Sequence, residues 1–321
     1  MISIILAFGS AILFGLALVL TQVGLRHVPP LAGAAISIPS STVLFICVAP
    51  IALADTTVVW AAVPIFAAIG LLFPGSVTLL TFAANRALGP VMTGTLGNLA
   101  PLFAVALAFI ILGEPLRALQ LAGLLVVIAG IVILTVTRGE DTRSWRSWYL
   151  LLPLAAAALR GVTQVTIKLG LEVWPSPFAA ALVGYLVSTV VVLTAARLGT
   201  GRFVADAAAR ADEPASGECP ARAPIKWPRW PLPRIKSGVA SAAARGLLWF
   251  AAVGWCNGLA ALMMYAALAK GSVALVSPVV ATYPLVTVVG SAFLFGKIEG
   301  GARLALGVAL TVAVVAMLIA S

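Results

Sequence analysis

The chain has 321 residues, 62% of them hydrophobic and only 9% charged, with a formal charge of +10. A soluble domain carries about 25% charged residues to solvate its surface, so a soluble globular fold is excluded and most side chains must meet lipid or one another. One His and the scattered Cys47, Cys219 and Cys256 supply neither a metal cluster nor a disulfide framework.

In hydrocarbon every backbone polar group must be satisfied inside its own segment. Long apolar runs therefore read as an all-α integral membrane protein. Spans of roughly 20 apolar residues give ten transmembrane helices, near 2–25, 31–53, 60–83, 90–112, 115–136, 148–170, 177–198, 246–268, 272–295 and 299–320. The first run has no basic segment before it and is long enough to span, so it reads as a helix rather than a signal peptide. Pro64, Pro90, Pro115 and Pro177 fall in first turns, where a missing N–H costs nothing.

The stretch from Ala83 to about Val136 resembles the stretch from Ala266 to the C-terminus. Adding 183 takes Ala83 to Ala266, Pro101 to Pro284 and Gly113 to Gly296. Adding 146 takes Gly15 to Gly161, Val19 to Val165 and Gly24 to Gly170. The halves are then 1–137 and 138–321, each with five spans. An odd number of spans forces opposite membrane orientations, so the expected fold is two inverted five-helix repeats, a transporter arrangement.

The second half is interrupted at 199–245, where six prolines between Pro214 and Pro233 argue for disorder. Trp227 and Trp230 beside Lys226, Arg229, Arg234 and Lys236 suit an anchor on anionic lipid at headgroup level. Nucleic-acid binding is not expected, because the excess charge is explained by basic residues held on one membrane face. Arg26, Arg86, Arg138, Arg143, Arg146, Lys297 and Arg303 lie opposite the termini, which places both termini outside.

Among the spans the sixth is the most polar. Arg160, Gln164 and Lys168 recur every four residues and share one helix face. Arg160 lies near the midplane, where a cation costs about 2.5–3.5 kcal/mol unless it faces a partner or a wet cavity. An inward Arg160 would pair with an anionic or carboxylate-bearing substrate, or with backbone carbonyls freed at proline breaks. Pro101 and Pro284 are such breaks, which makes Asn98, Thr282 and Tyr283 cavity candidates. Gln22, Thr78, Asn85, Tyr185, Asn257 and Tyr265 could line a pathway or bond between helices. Glu114, before Pro115, suits a helix-dipole cap better than proton coupling. No intramembrane carboxylate pair, Cys–His pairing or phosphate loop supports an enzyme, a metal site or a cofactor.

The Leu-Gly-Glu-Pro of Leu112 to Pro115, followed by Gly123 and Gly130, is similar to a motif of the drug/metabolite transporter superfamily, and within it to the EamA-like ten-helix permeases. The pattern reads NLAPLFAVALAFIILGEPLRALQLAGLLVVIAG from Asn98 and returns as TYPLVTVVGSAFLFGKIEG from Thr282, with Lys297 where an acid is usual and Glu299 two places later. The opening FGLALVLTQVGLRHV from Phe14 is similar to the family's first helix. The resemblance implies a permease or exporter of a bacterial inner membrane with both termini cytoplasmic, against the charge bias.

The expected function is secondary active transport of a small polar or amphipathic metabolite by alternating access, driven by a proton or solute gradient or by exchange. The site would lie between the halves, lined by spans one, three, four, six, eight and nine, in a monomer or homodimer. The competing expectation is a non-transporting membrane sensor or assembly partner acting through 199–245.

Overall fold

The computed structural model describes residues 1–24, 28, 30–54, 56–78, 80–81, 84, 96–97, 99–115, 150–211, 239–283, 286 and 289–290. Among these, every regular element is helical. The helices are α1 (Ile2–Gly24), α2 (Pro30–Ala52), α3 (Val63–Gly70), α4 (Ala100–Leu107), α5 (Leu151–Val173), α6 (Pro177–Ala211), α7 (Val239–Lys270) and α8 (Val273–Val280). A 3-10 turn, Trp60–Ala62, leads into α3, and π-helical turns follow α3 at Leu71–Ser76 and α4 at Ala108–Leu112. The fifth and tenth expected spans lie outside the described residues.

Four of these helices, α1, α2, α6 and α7, are long and apolar enough to cross a membrane. Although α5 has 23 residues, it is not among them. Its sequence carries Arg160, Gln164, Lys168 and Glu172, which lower its mean hydropathy and mark it as a helix with a face to hide.

The expected disorder across 199–245 shrinks at both ends, because α6 runs on to Ala211 and α7 already begins at Val239. The reason is local. The stretch AARLGTGRFVADAAARA is dominated by Ala and Arg, the best helix formers, and they carry the helix past Gly199 and Gly201. Trp227, Trp230 and the basic residues around them lie outside the described residues.

Packing follows small residues. Helix α1 lies against α7 and α8, α2 against α7 and α6, α3 against α6 and α5, and α4 against α5 and α8. Much of the buried core is alanine, as at Ala7, Ala104, Ala180, Ala181, Ala260 and Ala267. Short side chains let helix backbones approach, and hydroxyls then reach across to carbonyls. Ser10 Oγ donates to the Ala260 carbonyl at 2.7 Å, joining α1 to α7. Ser41 Oγ donates to Gly254 O at 2.6 Å and Ser40 Oγ to Ala251 O at 3.1 Å, joining α2 to α7. Thr42 Oγ1 donates to Tyr185 O at 3.0 Å, and Ser188 Oγ to Gly70 O at 2.6 Å. Each such bond contributes about 0.6 kcal/mol on average, so their value lies in fixing register.

Candidate functional site

Three helical segments are interrupted, and the interruptions face one another across a cavity. At Phe73 the chain leaves the helix for extended geometry (φ −139°, ψ 136°) and re-enters it after Pro74. Before α4 the Leu99 N–H bonds back to Leu96 O at 3.2 Å, and after α8 the Thr282 N–H bonds back to Val279 O at 3.2 Å. These turns stand at equivalent positions under the offset of 183. Pro101 was expected to kink a continuous helix. It sits instead in the first turn of α4, where its missing N–H costs nothing, and the break lies just before it.

The cavity between them has a volume of about 280 Å³ and is lined from every described α-helix except α3. Its walls are mostly apolar: Phe14 and Leu18 from α1, Phe73, Pro74 and Val77 from the broken third segment, and Phe250, Val253 and Met264 from α7. At one edge Phe14 meets Tyr283 edge-on, with ring centroids 6.5 Å apart.

Against this apolar wall stand a few polar groups with nothing to bond. Arg160 lines the cavity, and its Nε is buried without a hydrogen-bond partner. One turn along α5, Gln164 is 8% exposed and its Oε1 is equally unpartnered. From α8, Ser277 is 1% exposed and its Oγ lacks a partner too. All three line the cavity. A fourth such atom among the described residues, Trp174 Nε1, lies away from it, beside the stacked ring of Phe66. Buried polar groups without partners cost about 1–3 kcal/mol each. Three around one cavity give it hydrogen-bonding capacity that no described residue uses.

Other polar residues on the lining are already committed. Thr21, Thr81 and Thr163 each donate to the carbonyl four residues back, at 2.7 Å. Ser41 is spent on Gly254 and Ser37. Of the remaining candidates, Pro101, Tyr283, Thr78, Tyr185 and Asn257 line the cavity. Tyr265 is buried in the apolar core. Thr282 turns its hydroxyl onto Val279 O at 2.8 Å and does not line the cavity. Asn98, Asn85, Pro284 and the Gln22 side chain lie outside the described residues. Helix α2 and Tyr185 of α6 join the lining, beyond the six spans expected.

Lys168, the third member of the α5 stripe, also leaves the cavity. Its Nζ donates to Leu268 O at 2.9 Å and Gly271 O at 2.7 Å, so it caps the C-terminal end of α7. Glu114 does the converse for the next helix. Its Oε1 accepts from Val273 N at 3.0 Å and its Oε2 from Ala274 N at 3.1 Å, the first N–H groups of α8. Ser272 completes that cap by accepting from Leu275 N at 3.3 Å. The turn from α7 to α8 is thus held by a cation at one dipole end and an anion at the other. Glu114→Ala is expected to lower stability by about 1–2 kcal/mol, read as an earlier thermal midpoint in detergent. A melting curve identical to wild type would show that the cap contributes nothing.

Sequence reasoning missed Ser277 and Phe73. A serine in an apolar run carries almost no signal, although Ser277 stands directly before Pro278, and Phe73 directly before Pro74.

A solved structure titled "Crystal structure of protein" superimposes with a TM-score of 0.70, covering 98% of this chain and 95% of its own, at 20% identity. That likeness shows a shared fold. The comparison with curated proteins gives no match. Residues 1–136 match the EamA-like transporter family. Over that segment the chain is similar to this family of membrane transporters, within the drug/metabolite transporter superfamily.

Proposed function

We propose that the protein is a secondary active transporter of a bacterial inner membrane, built as ten helices in two inverted repeats. It carries a small amphipathic, anionic metabolite through the central cavity by alternating access. The observation that carries this reading is Arg160, a guanidinium on an apolar internal wall. Among the described residues no Asp or Glu lines that cavity. A fixed, uncompensated cation at that depth is costly to keep and has a use if an anion passes by it.

The repeat reading draws support from how helices pair. Exchanging the halves turns α1 on α7 into α5 on α3, α1 on α8 into α5 on α4, and α2 on α7 into α6 on α3, and each of these pairings occurs. The exchange reaches single residues. A Cβ built on Gly161 would come within 2.7 Å of Phe103 Cβ, and one on Gly15 within 2.5 Å of Val286 Cβ. Gly15 and Gly161 differ by 146, and Phe103 and Val286 by 183, the two offsets read from the sequence. Two halves so related offer equivalent outward-open and inward-open forms around one site.

Gly97 supplies the test. It lines the cavity, and a Cβ added there meets nothing within 4 Å. Gly97→Phe is expected to insert and melt like wild type while plugging the cavity. In proteoliposomes preloaded with a panel of organic acids, wild type should exchange at least one for its labelled form, and Gly97→Phe should not. Exchange that survives the plug would place the route elsewhere and defeat the reading.

A further inference from the structure

Resting on that reading, we infer that the cavity selects an organic monocarboxylate with an apolar body, and rejects molecules that carry an ammonium group. Two sets of observations carry this. The first is the charge inventory. Arg160 is the one charged side chain on the described lining, so a single negative charge is matched and a second would go unpaired. The Ser277 hydroxyl, buried and unpartnered, can donate to the same carboxylate, which accepts several hydrogen bonds at once. The unpartnered atom of Gln164 is its Oε1, an acceptor left for a neutral N–H or O–H.

The second is what a cation would find. With no carboxylate on the described lining, an ammonium would find only neutral acceptors and would be repelled by the fixed guanidinium of Arg160. Several carbonyls near the breaks are moreover already engaged. Gly70 O accepts from Ser188 Oγ, and Leu71 O accepts from Ser76 Oγ. Val279 O accepts from both the N–H and the hydroxyl of Thr282, and Ser277 O accepts from Ala281 N. An ammonium there stays without a counter-charge, which is unfavourable in an apolar site. A free amino acid therefore satisfies Arg160 with one end and violates the site with the other.

The apolar part of the lining sets the rest of the molecule. Phe14, Leu18, Phe73, Val77, Phe250 and Met264 offer rings, branched chains and a thioether, surfaces that favour an aromatic or branched apolar body. The polar head is held by α5 and α8, and the body reaches toward α1, the third segment and α7.

One skeleton with four head groups tests this directly: 3-phenylpropionate, phenylalanine, 3-phenylpropylamine and 3-phenylpropanol. Purified full-length protein is titrated with each by thermal shift at neutral pH, and each is then used to compete exchange in proteoliposomes. The acid is expected to bind about tenfold or more tightly than the other three. Arg160→Gln should erase that preference, and Ser277→Ala should weaken the acid severalfold while melting like wild type. Equal binding of all four, preference for phenylalanine or the amine, or binding of none overturns the head-group assignment. Those outcomes leave the transporter reading standing as long as Gly97→Phe blocks exchange of whatever is carried. If the plug has no effect, the transporter site itself is misplaced.

Discussion

Arg160→Ala is expected to yield a protein that inserts and melts no lower than wild type, yet exchanges its organic anion at least about tenfold more slowly. The two halves of this expectation come from the same atoms. In the free protein the guanidinium is a liability, because its Nε is buried without a partner and a cation at that depth costs about 2.5–3.5 kcal/mol. Removing it relieves that cost and breaks no described hydrogen bond. On the proposed reading, the loaded protein gains a charge-assisted bond of about 1.5–3 kcal/mol from it, which converts to roughly ten- to hundredfold in affinity. Melting temperature and exchange rate should therefore move independently. Unchanged exchange would remove Arg160 from the site. A large loss of stability would show that the side chain is a structural tie after all.

Gly254→Val is expected to cost about 3 kcal/mol or more and to leave little monodisperse protein after detergent extraction. Its hydrogen already faces the backbone of α2, and a Cβ would collide with the Ser37 carbonyl oxygen. Carbonyl oxygens in a helix do not swing aside, so α2 and α7 would have to separate. Separation stretches Ser41 to Gly254 O and Ser40 to Ala251 O together, since both bonds cross the same contact. Size-exclusion profile and thermal midpoint give the measurement. Gly97→Ala is the matched control, because a methyl there enters open space. Normal yield and melting for Gly254→Val would mean that the helices are not in contact at this level.

The all-helical, membrane-capable character could be read before any coordinates. Apolar runs place α1 and α2 within a residue or two and the apolar stretches of α6 and α7 nearly as well. They do not place the extensions to Ala211 and from Val239, because composition dictates a helix only where it lies in lipid. The stripe through Arg160 and Gln164 could be read for the opposite reason: two costly residues on one helix face must have something to point at. What could not be read are pairings whose second partner lies far along the chain. Glu114 caps a helix 159 residues away, and its sequence position before Pro115 says only that it favours some helix start. Lys168 has the same spacing as its neighbours, and only the position of the α7 C-terminus takes it out of the cavity. Thr282 was plausible as a lining residue until its hydroxyl proved closer to its own helix than to any ligand. Pro101 showed that a proline inside an apolar run can begin a helix as readily as bend one.

The long α6 bears on how this protein can be imaged. Its 35 residues span about 52 Å at 1.5 Å per residue, against a hydrocarbon core of about 30 Å. The apolar span of α6 ends at Arg197 and that of α7 begins at Arg245. The helical extensions beyond them, to Ala211 and from Val239, therefore emerge on the same side of the bilayer. At 32.9 kDa the molecule is small for particle alignment in electron cryomicroscopy. A rigid soluble domain spliced into 212–238, its ends fused in helical register to Ala211 and Val239, would give each particle an asymmetric mass outside the micelle. Because the graft sits well away from Arg160, Gln164 and Ser277, exchange measured on the fused protein would show directly whether the imaged molecule still works.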